Sequence, residues 1–425
     1  MKIGWVDFSK KDRDAALEAI RNLRGQGAVD ELGVGPIRDA FADAFFPGTS
    51  TLQTRAKYFL LVPYVILDVL KECDKAGTFH VHEIKDEITN REHKIAKQLF
   101  DKDPPETDGL IGVTRLRDNN WVLRGPSVLY WSGIREYGIF TRDQSLDAFI
   151  SEWAERRRDS DDVLLDNKID KFDSAGGRGL SANILFDAFN VGGCYVHGWD
   201  KKDRLHLSLL KDEAEFLARK ITKSETTKGS LMAFVIRKPQ TYERYRALCG
   251  GVDARQSTES DSSLWDEFCD SIKSDSDLDA SIKILLELSR NFNKLVYAAR
   301  VLYNKMLGNG DAQNLWKRIE ANLQDYARVD MNAVFERLRV KDRHLQRYKF
   351  FILLADAFRH RNINEAEKLI QGQEIRLKQK SRAKLNDPSS VSRDKWIGGK
   401  WLDYRLPDAM RIVGDIVKGR EAANV

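Results

Sequence analysis

Residues 278–306 read LDASIKILLELSRNFNKLVYAARVLYNKM. Leu278, Ile282, Leu285, Leu286, Phe292, Leu295, Val296, Val301, Leu302 and Met306 keep helical spacing across the stretch. An apolar face repeating near 3.6 residues predicts one long helix, which Gly308-Asn309-Gly310 ends. The same period recurs outward from it. Helices are expected over 314–327, 333–340, 344–360, 364–378 and 407–417, with Pro407 suited to a first helical position. Upstream, helices are expected over 13–23, 37–46, 84–100, 126–137 and 211–221, the last with Glu213, Glu215 and Lys220 outward. The fold class is therefore mainly α, a multi-domain helical protein with a few short strands.

One helix start carries a full signature. Ser50-Thr51-Leu52-Gln53 is an S-x-x-Q capping box, which predicts a helix from Thr51 to about Lys71. Pro63 would kink it, because proline lacks an amide donor. Phe59, Leu60, Leu61, Val62, Val65, Ile66 and Leu67 nearly encircle it, as in a buried central helix. Residues 78–82 read as a short strand, and 110–122 as a small hairpin or irregular loop. Gly138 followed by Ile139 reads as a left-handed cap on the 126–137 helix. Helix, loop and aromatic-rich helix together suggest a winged-helix-like part. Residues 174–179 are read as a flexible glycine-rich loop, and 250–263 as a linker. The domains are placed at 1–150 (helical, with the winged-helix-like part), 151–250 (a middle α/β segment) and 264–425 (helical).

Composition narrows the function classes. The chain has 425 residues, 42% hydrophobic and 32% charged, with 70 Lys and Arg against 65 Asp and Glu. A net charge of +5 is no polycation, so nucleic-acid binding is left open rather than argued for. Cys73, Cys194, Cys249 and Cys269 form no C-x-x-C pair and read as small hydrophobes in a reducing compartment. No apolar h-region follows Met1, and the longest apolar stretch, 59–70, is far short of the roughly 20 residues of a membrane span. A cytoplasmic protein without membrane contact is expected, and no cofactor is implied. There is no G-x-x-x-x-G-K-[ST], H-x-K, H-E-x-x-H or G-x-S-x-G, and Gly398-Gly399-Lys400-Trp401 lacks the spacing of a phosphate loop.

Four constellations remain. Cys73, His80, His82 and His93 have the donor types for zinc, and on a strand His80 and His82 would share one side. The spacing matches no common zinc module, so ordinary histidines are the default and no metal is assigned. Asp68 with Glu83-Ile84-Lys85 has the residue types of a restriction-type nuclease, in which carboxylates hold Mg²⁺ and a lysine helps to activate water. In that layout E-x-K lies on a strand. Ser50, Thr51 and Arg55 at a helix N-terminus would suit an anion, unless Arg55 instead pairs with Asp30, Glu31 or Asp39. The most basic stretch is 371–405, with nine cations against four carboxylates and with Trp396, Trp401 and Tyr404 interleaved. Arg376, Lys378, Lys380, Arg382 and Lys384 are its candidates for phosphate contact and Trp396 for stacking. The bland alternative is a solvated face whose aromatics anchor a loop.

Several segments are similar to an uncharacterised bacterial family known only as a domain of unknown function. They are GWVDFS at 4–9, VDELGVGPIRD at 29–39, FPGTSTLQTR at 46–55, PSVLYW at 126–131, YGI at 137–139 and LDYR at 402–405. Tyr64 departs from the pattern, which has Trp after Val62-Pro63. The resemblance implies bacterial immunity: members tend to lie beside helicases and nuclease-like proteins of anti-phage defence. It brings no catalytic residues. The expected function is a non-catalytic component of a multi-gene anti-phage defence system, engaging DNA or RNA and a neighbour-encoded helicase or nuclease-like partner. A metal-dependent nuclease and a purely structural adaptor are the alternatives.

Overall fold

The computed structural model describes residues 30–102, 104–166, 188–250, 263–340 and 346–422. The expected helix at 13–23, the glycine-rich loop at 174–179 and nearly all of the linker at 250–263 lie outside them. In chain order the helices are α1 (Gly35–Phe45), α2 (Tyr58–Ala76), α3 (Val81–Phe100), α4 (Val113–Arg117), α5 (Pro126–Glu136), α6 (Leu146–Asp166), α7 (Lys211–Lys223), α8 (Leu231–Arg237) and α9 (Pro239–Leu248). They continue with α10 (Leu264–Ile272), α11 (Ala280–Met306), α12 (Gly310–Ala321), α13 (Leu323–Tyr326), α14 (Met331–Arg337), α15 (Gln346–Arg359), α16 (Ile363–Lys378) and α17 (Leu406–Glu421). The protein is mainly α, as its periodicity requires.

The expected strands are absent among the described residues, where Phe140 and Phe189 share one isolated bridge. Residues 78–82 do not extend: His80 is the N-cap of α3, and Val81 onward is helical. Five consecutive residues are too short a window to separate a strand from a helix start. Residues 110–122 form turns around α4 instead of a hairpin, so the winged-helix-like part has no strand to serve as its wing. No helix among the described residues is long and apolar enough to cross a membrane.

Two compact units form, each discontinuous in sequence: 1–41 with 283–402, and 42–282 with 403–425. In the second unit α2 is the buried centre, against α3 and α5. Tyr130 of α5 packs on Tyr58 and Phe59 with ring centroids 5.2 and 4.9 Å apart. Gly133 lets α5 come this close, since a Cβ there would sit 2.4 Å from the Gly48 carbonyl oxygen and 2.5 Å from Phe59. The expected end of α5 is observed. Gly138 has φ +63°, and the Ile139 amide bonds back to the Ile134 carbonyl at 3.0 Å, closing the helix with a left-handed cap. Helix α17 returns to this unit and packs on α7, α8 and α9.

The loop 46–57 before α2 corrects the capping-box expectation. Gln53 does reach back to the Ser50 amide, at 3.2 Å. The box closes a turn, however, and the helix starts later, at Tyr58. Gln53 is fully buried and donates to the Gly48 and Leu129 carbonyls, tying the turn to α5. Glu213 is also corrected. It faces inward on α7, bonded to Lys57 Nζ at 2.5 Å. The lysine supplies the charge that lets a carboxylate occupy an apolar helix face.

Glu92 of α3 caps α5 from a neighbouring helix, accepting from the Ser127 amide at 2.6 Å. Beside it lies a cavity of about 10 Å³, lined mainly by apolar residues including Leu61, Val65, Ile95 and Leu99. Burial raises the Glu92 carboxyl from an ordinary 4.5 to about 7, against the lowering effect of Ser127. A carboxyl raised in the folded state binds its proton more tightly there, so stability falls as pH rises from about 4.5 to 7 and then levels. Glu92→Gln should remove that slope and stabilise the protein at pH 8 by on the order of 3 kcal/mol, as read by urea unfolding at several pH values.

Candidate nucleic-acid interface

The basic stretch leaves α16 at Lys378 and runs to Leu402 with no helix longer than two short 3₁₀ turns. Long irregular segments carry many backbone groups that need partners when they touch a core. One face of α11 supplies them. Asn293, Tyr297, Arg300 and Asn304 are spaced by four, three and four residues and so line one side of the helix. The Asn293 side chain accepts from the Leu402 amide at 2.8 Å and donates to its carbonyl at 3.0 Å. Asn304 makes the same pair with Ile397, at 2.8 and 3.0 Å. Between them Arg300 donates to the Lys400 carbonyl at 3.2 Å, and Tyr297 stacks on Trp401 with centroids 3.7 Å apart. Asn309, the N-cap of α12, also donates to the Arg393 carbonyl at 2.8 Å. Each asparagine amide offers one donor and one acceptor side by side, as a neighbouring strand residue would.

The start of the stretch is held by buried charges. Glu374 is fully buried and accepts from Tyr303 Oη at 2.7 Å, Lys378 Nζ at 3.0 Å, the Lys384 amide at 3.1 Å and the Leu385 amide at 3.0 Å. Glu31 accepts from both Lys378 Nζ and Lys384 Nζ at 2.9 Å. Burial opposes ionisation of Glu374, but the bonds from Tyr303, Leu385 and Lys378 outweigh it and hold the carboxyl below its usual range. Gln373 extends the network by donating to the Leu32 carbonyl at 3.0 Å.

This arrangement sorts the five predicted phosphate contacts. Lys378 is corrected: it is buried between two carboxylates and neutralised by them. Lys384 is half-buried and paired with Glu31. Arg376, Lys380 and Arg382 are exposed, and none of the three has an ion pair among the described residues. Arg393, Lys395 and Lys400 of the same loop are likewise without one and complete the set. Trp396 is half-buried with Lys400 Nζ 5.7 Å from its ring centre. Trp401 is taken up by Tyr297. The stripe on α11 escaped sequence reading, although four polar or aromatic residues on one side of an apolar helix were its visible signal.

The other constellations come apart. Thr51 is exposed in a turn, Ser50 gives its amide to Gln53, and no helix begins at either. Arg55 pairs with Asp415 at 2.9 Å and donates to the Asp108 carbonyl at 3.0 Å, so the anion-site geometry is absent. Asp30, Glu31 and Asp39 are not its partners: Asp30 accepts from the Gly35 amide, Glu31 from the lysines, and Asp39 from Arg38. Asp68 accepts from Tyr195 Oη and from Trp199 Nε1 at 2.8 Å. Glu83 and Lys85 lie on helix α3 instead of the strand that the nuclease layout needs, and Lys85 pairs with Asp147 at 2.7 Å. Cys73 is buried in α2, His82 is exposed, and His93 stacks on Trp121. His80 and His82 have ring centres 6.1 Å apart, but no group of three or more His, Cys, Asp or Glu that could hold a metal occurs among the described residues.

Comparison with known proteins places one part of the chain. Residues 1–175 are similar to a family of unknown function, DUF6361. No curated protein and no solved structure matches the chain. The VDELGVGPIRD and FPGTSTLQTR segments fall inside the matched stretch, and both supply ordering contacts: Glu31 and Leu32 to the α16 network, Gln53 and Arg55 to the loop before α2. LDYR lies outside it, where Leu402 pairs with Asn293 and Arg405 donates to the Thr49 carbonyl at 3.0 Å.

Asn304→Ala should cost about 2 kcal/mol or more, because it strands a buried amide and carbonyl at Ile397, and should make 379–402 the first site of limited proteolysis. Glu374 gives a separate acid signature. A depressed carboxyl contributes stability above its unfolded value, lost as pH falls through the folded one. Unfolding below pH about 4.5 should therefore steepen with Glu374 present and flatten in Glu374→Gln, measured by thermal melts between pH 3 and 5.

Proposed function

We propose that this protein is a non-catalytic component of a bacterial anti-phage defence system that engages nucleic acid through the loop 376–400. The observation that carries the binding reading is a set of six cations without an ion pair among the described residues: Arg376 in the last turn of α16, and Lys380, Arg382, Arg393, Lys395 and Lys400 on the irregular but firmly held segment after it. Two exposed carboxylates, Asp387 and Asp394, accompany them. A surface pre-ordered by α11 gives up little entropy on binding, and unpaired guanidinium and ammonium groups suit phosphates. Trp396, with Lys400 beside its ring, adds an aromatic surface of the kind that stacks on bases. The defence setting rests on the resemblance to the uncharacterised family, whose members lie near helicases and nuclease-like proteins. A partner of that kind, encoded nearby, would supply the chemistry.

The test is binding to labelled single- and double-stranded DNA and to RNA across a salt series without metal. Affinity should fall with salt, with a log–log slope of about −0.9 per phosphate contact on duplex DNA. The triple variant Arg376→Glu, Lys380→Glu, Arg382→Glu should flatten the slope by about 3 if each residue makes one contact. Absence of binding by the wild-type chain at low salt would sink this reading and favour the adaptor, recognised by co-purification with a neighbour-encoded protein.

A further inference from the structure

A second basic surface lies in the other unit, on the outer side of α3 and the turns around α4. Its centre is the stack of His93 on Trp121, with ring centroids 5.2 Å apart and planes 19° apart. Gly112, at φ +89°, seats the indole. A Cβ there would lie 2.9 Å from the ring, and the indole N–H is buried with no acceptor. The stack is therefore held by shape and not by a hydrogen bond. It pins the 112–121 turn to α3, so the charges on both elements are displayed in a fixed arrangement.

Those charges are of one kind. Lys94 and Lys97 are exposed on α3 beside His93, Lys97 one turn further on. Arg115 and Arg117 are exposed to either side of Leu116, which is buried where α4 packs on α3. Arg124 is exposed next to Gly125, whose Cα faces Glu92 of α3. None of these five cations has an ion pair among the described residues. The neighbouring charges are already used: Arg91 pairs with Glu72, Lys102 with Glu106, Asp108 with Arg411, and Glu92 is buried as the cap of α5. Asp86, two turns before His93 on α3, Asp101 and Asp118 are exposed carboxylates without an ion pair among the described residues. The five cations outnumber these three carboxylates, and all five face water.

We infer that Lys94, Lys97, Arg115, Arg117 and Arg124 form a second contact surface for the phosphate backbone of nucleic acid. The inference rests on the reading that the chain binds nucleic acid, but on different residues and a different unit.

The experiment uses the full chain and a labelled 40-base-pair duplex in a salt series. It compares wild type, Arg115→Glu/Arg117→Glu/Arg124→Glu, the 376/380/382 triple variant, and both triples together. All substitutions are at exposed positions, and melting temperature is the folding control. The neutral set Arg115→Gln, Arg117→Gln, Arg124→Gln serves if the charge-reversed one melts early. The first triple should weaken binding at 50 mM salt by about tenfold or more and flatten the slope by about 0.9 for each phosphate that is no longer neutralised. The combined protein should bind more weakly than either triple alone. Binding and slope unchanged in the 115/117/124 variant, with weakened binding in the 376/380/382 variant, would overturn this surface and leave the loop reading standing. Weakening only in the 115/117/124 variant would support this surface and reject the loop. No wild-type binding would overturn both.

Discussion

Two asparagines on one helix do the work of a β-strand for a segment that has none. The loop 379–402 must lie against a core, and its backbone amides and carbonyls cannot be left dry and unpaired. Asn293 and Asn304 answer this with paired donor and acceptor groups at Leu402 and Ile397. The spacing works because the helix sets their distance: eleven residues is close to three whole turns, so both side chains emerge on the same side. Tyr297 and Arg300 fill the interval. The end of the basic loop, from Ile397 to Leu402, is held by this stripe, and its start by Glu374 and Glu31.

The other unit meets the same constraint at the loop 46–57, with different chemistry. Tyr130 Oη accepts from the Thr54 and Arg55 amides at 2.7 and 3.0 Å, and Asp415 takes the Ala56 amide at 2.8 Å. Gln53 serves the turn itself. In both units the irregular chain is ordered by side chains from distant helices, because the described residues of neither form a sheet to lend a backbone partner. The segments that resemble the uncharacterised family thus describe, in large part, how the fold is closed. Among the described residues they contribute caps, buried amides and ion pairs.

The same requirement decides which cations are free to act. A buried carboxylate has to be neutralised, so Glu31 and Glu374 claim Lys378 and Lys384, Asp415 claims Arg55, and Glu213 claims Lys57. What remains unpaired is what the core did not need. Part of that remainder lies on the segment 376–400 and part around α4, and each of these two groups has a tryptophan beside it, Trp396 and Trp121.

The sequence by itself determined that the protein is helical, where most helices run and how several end. Apolar spacing and glycine caps act over a few residues, and local patterns record them. The α5 cap at Gly138 and the long helix α11 were legible for that reason. Partners across hundreds of residues were not. Whether Lys378 faces water or Glu31, whether the Ser50 box starts a helix or closes a turn, and whether Glu83 and Lys85 sit on a strand or a helix all depend on what arrives from elsewhere in the chain. An ion pair or an amide bridge between residues 31 and 378, or 293 and 402, leaves no period in the sequence. Tertiary structure alone decided which charges are spent inside and which are left facing solvent.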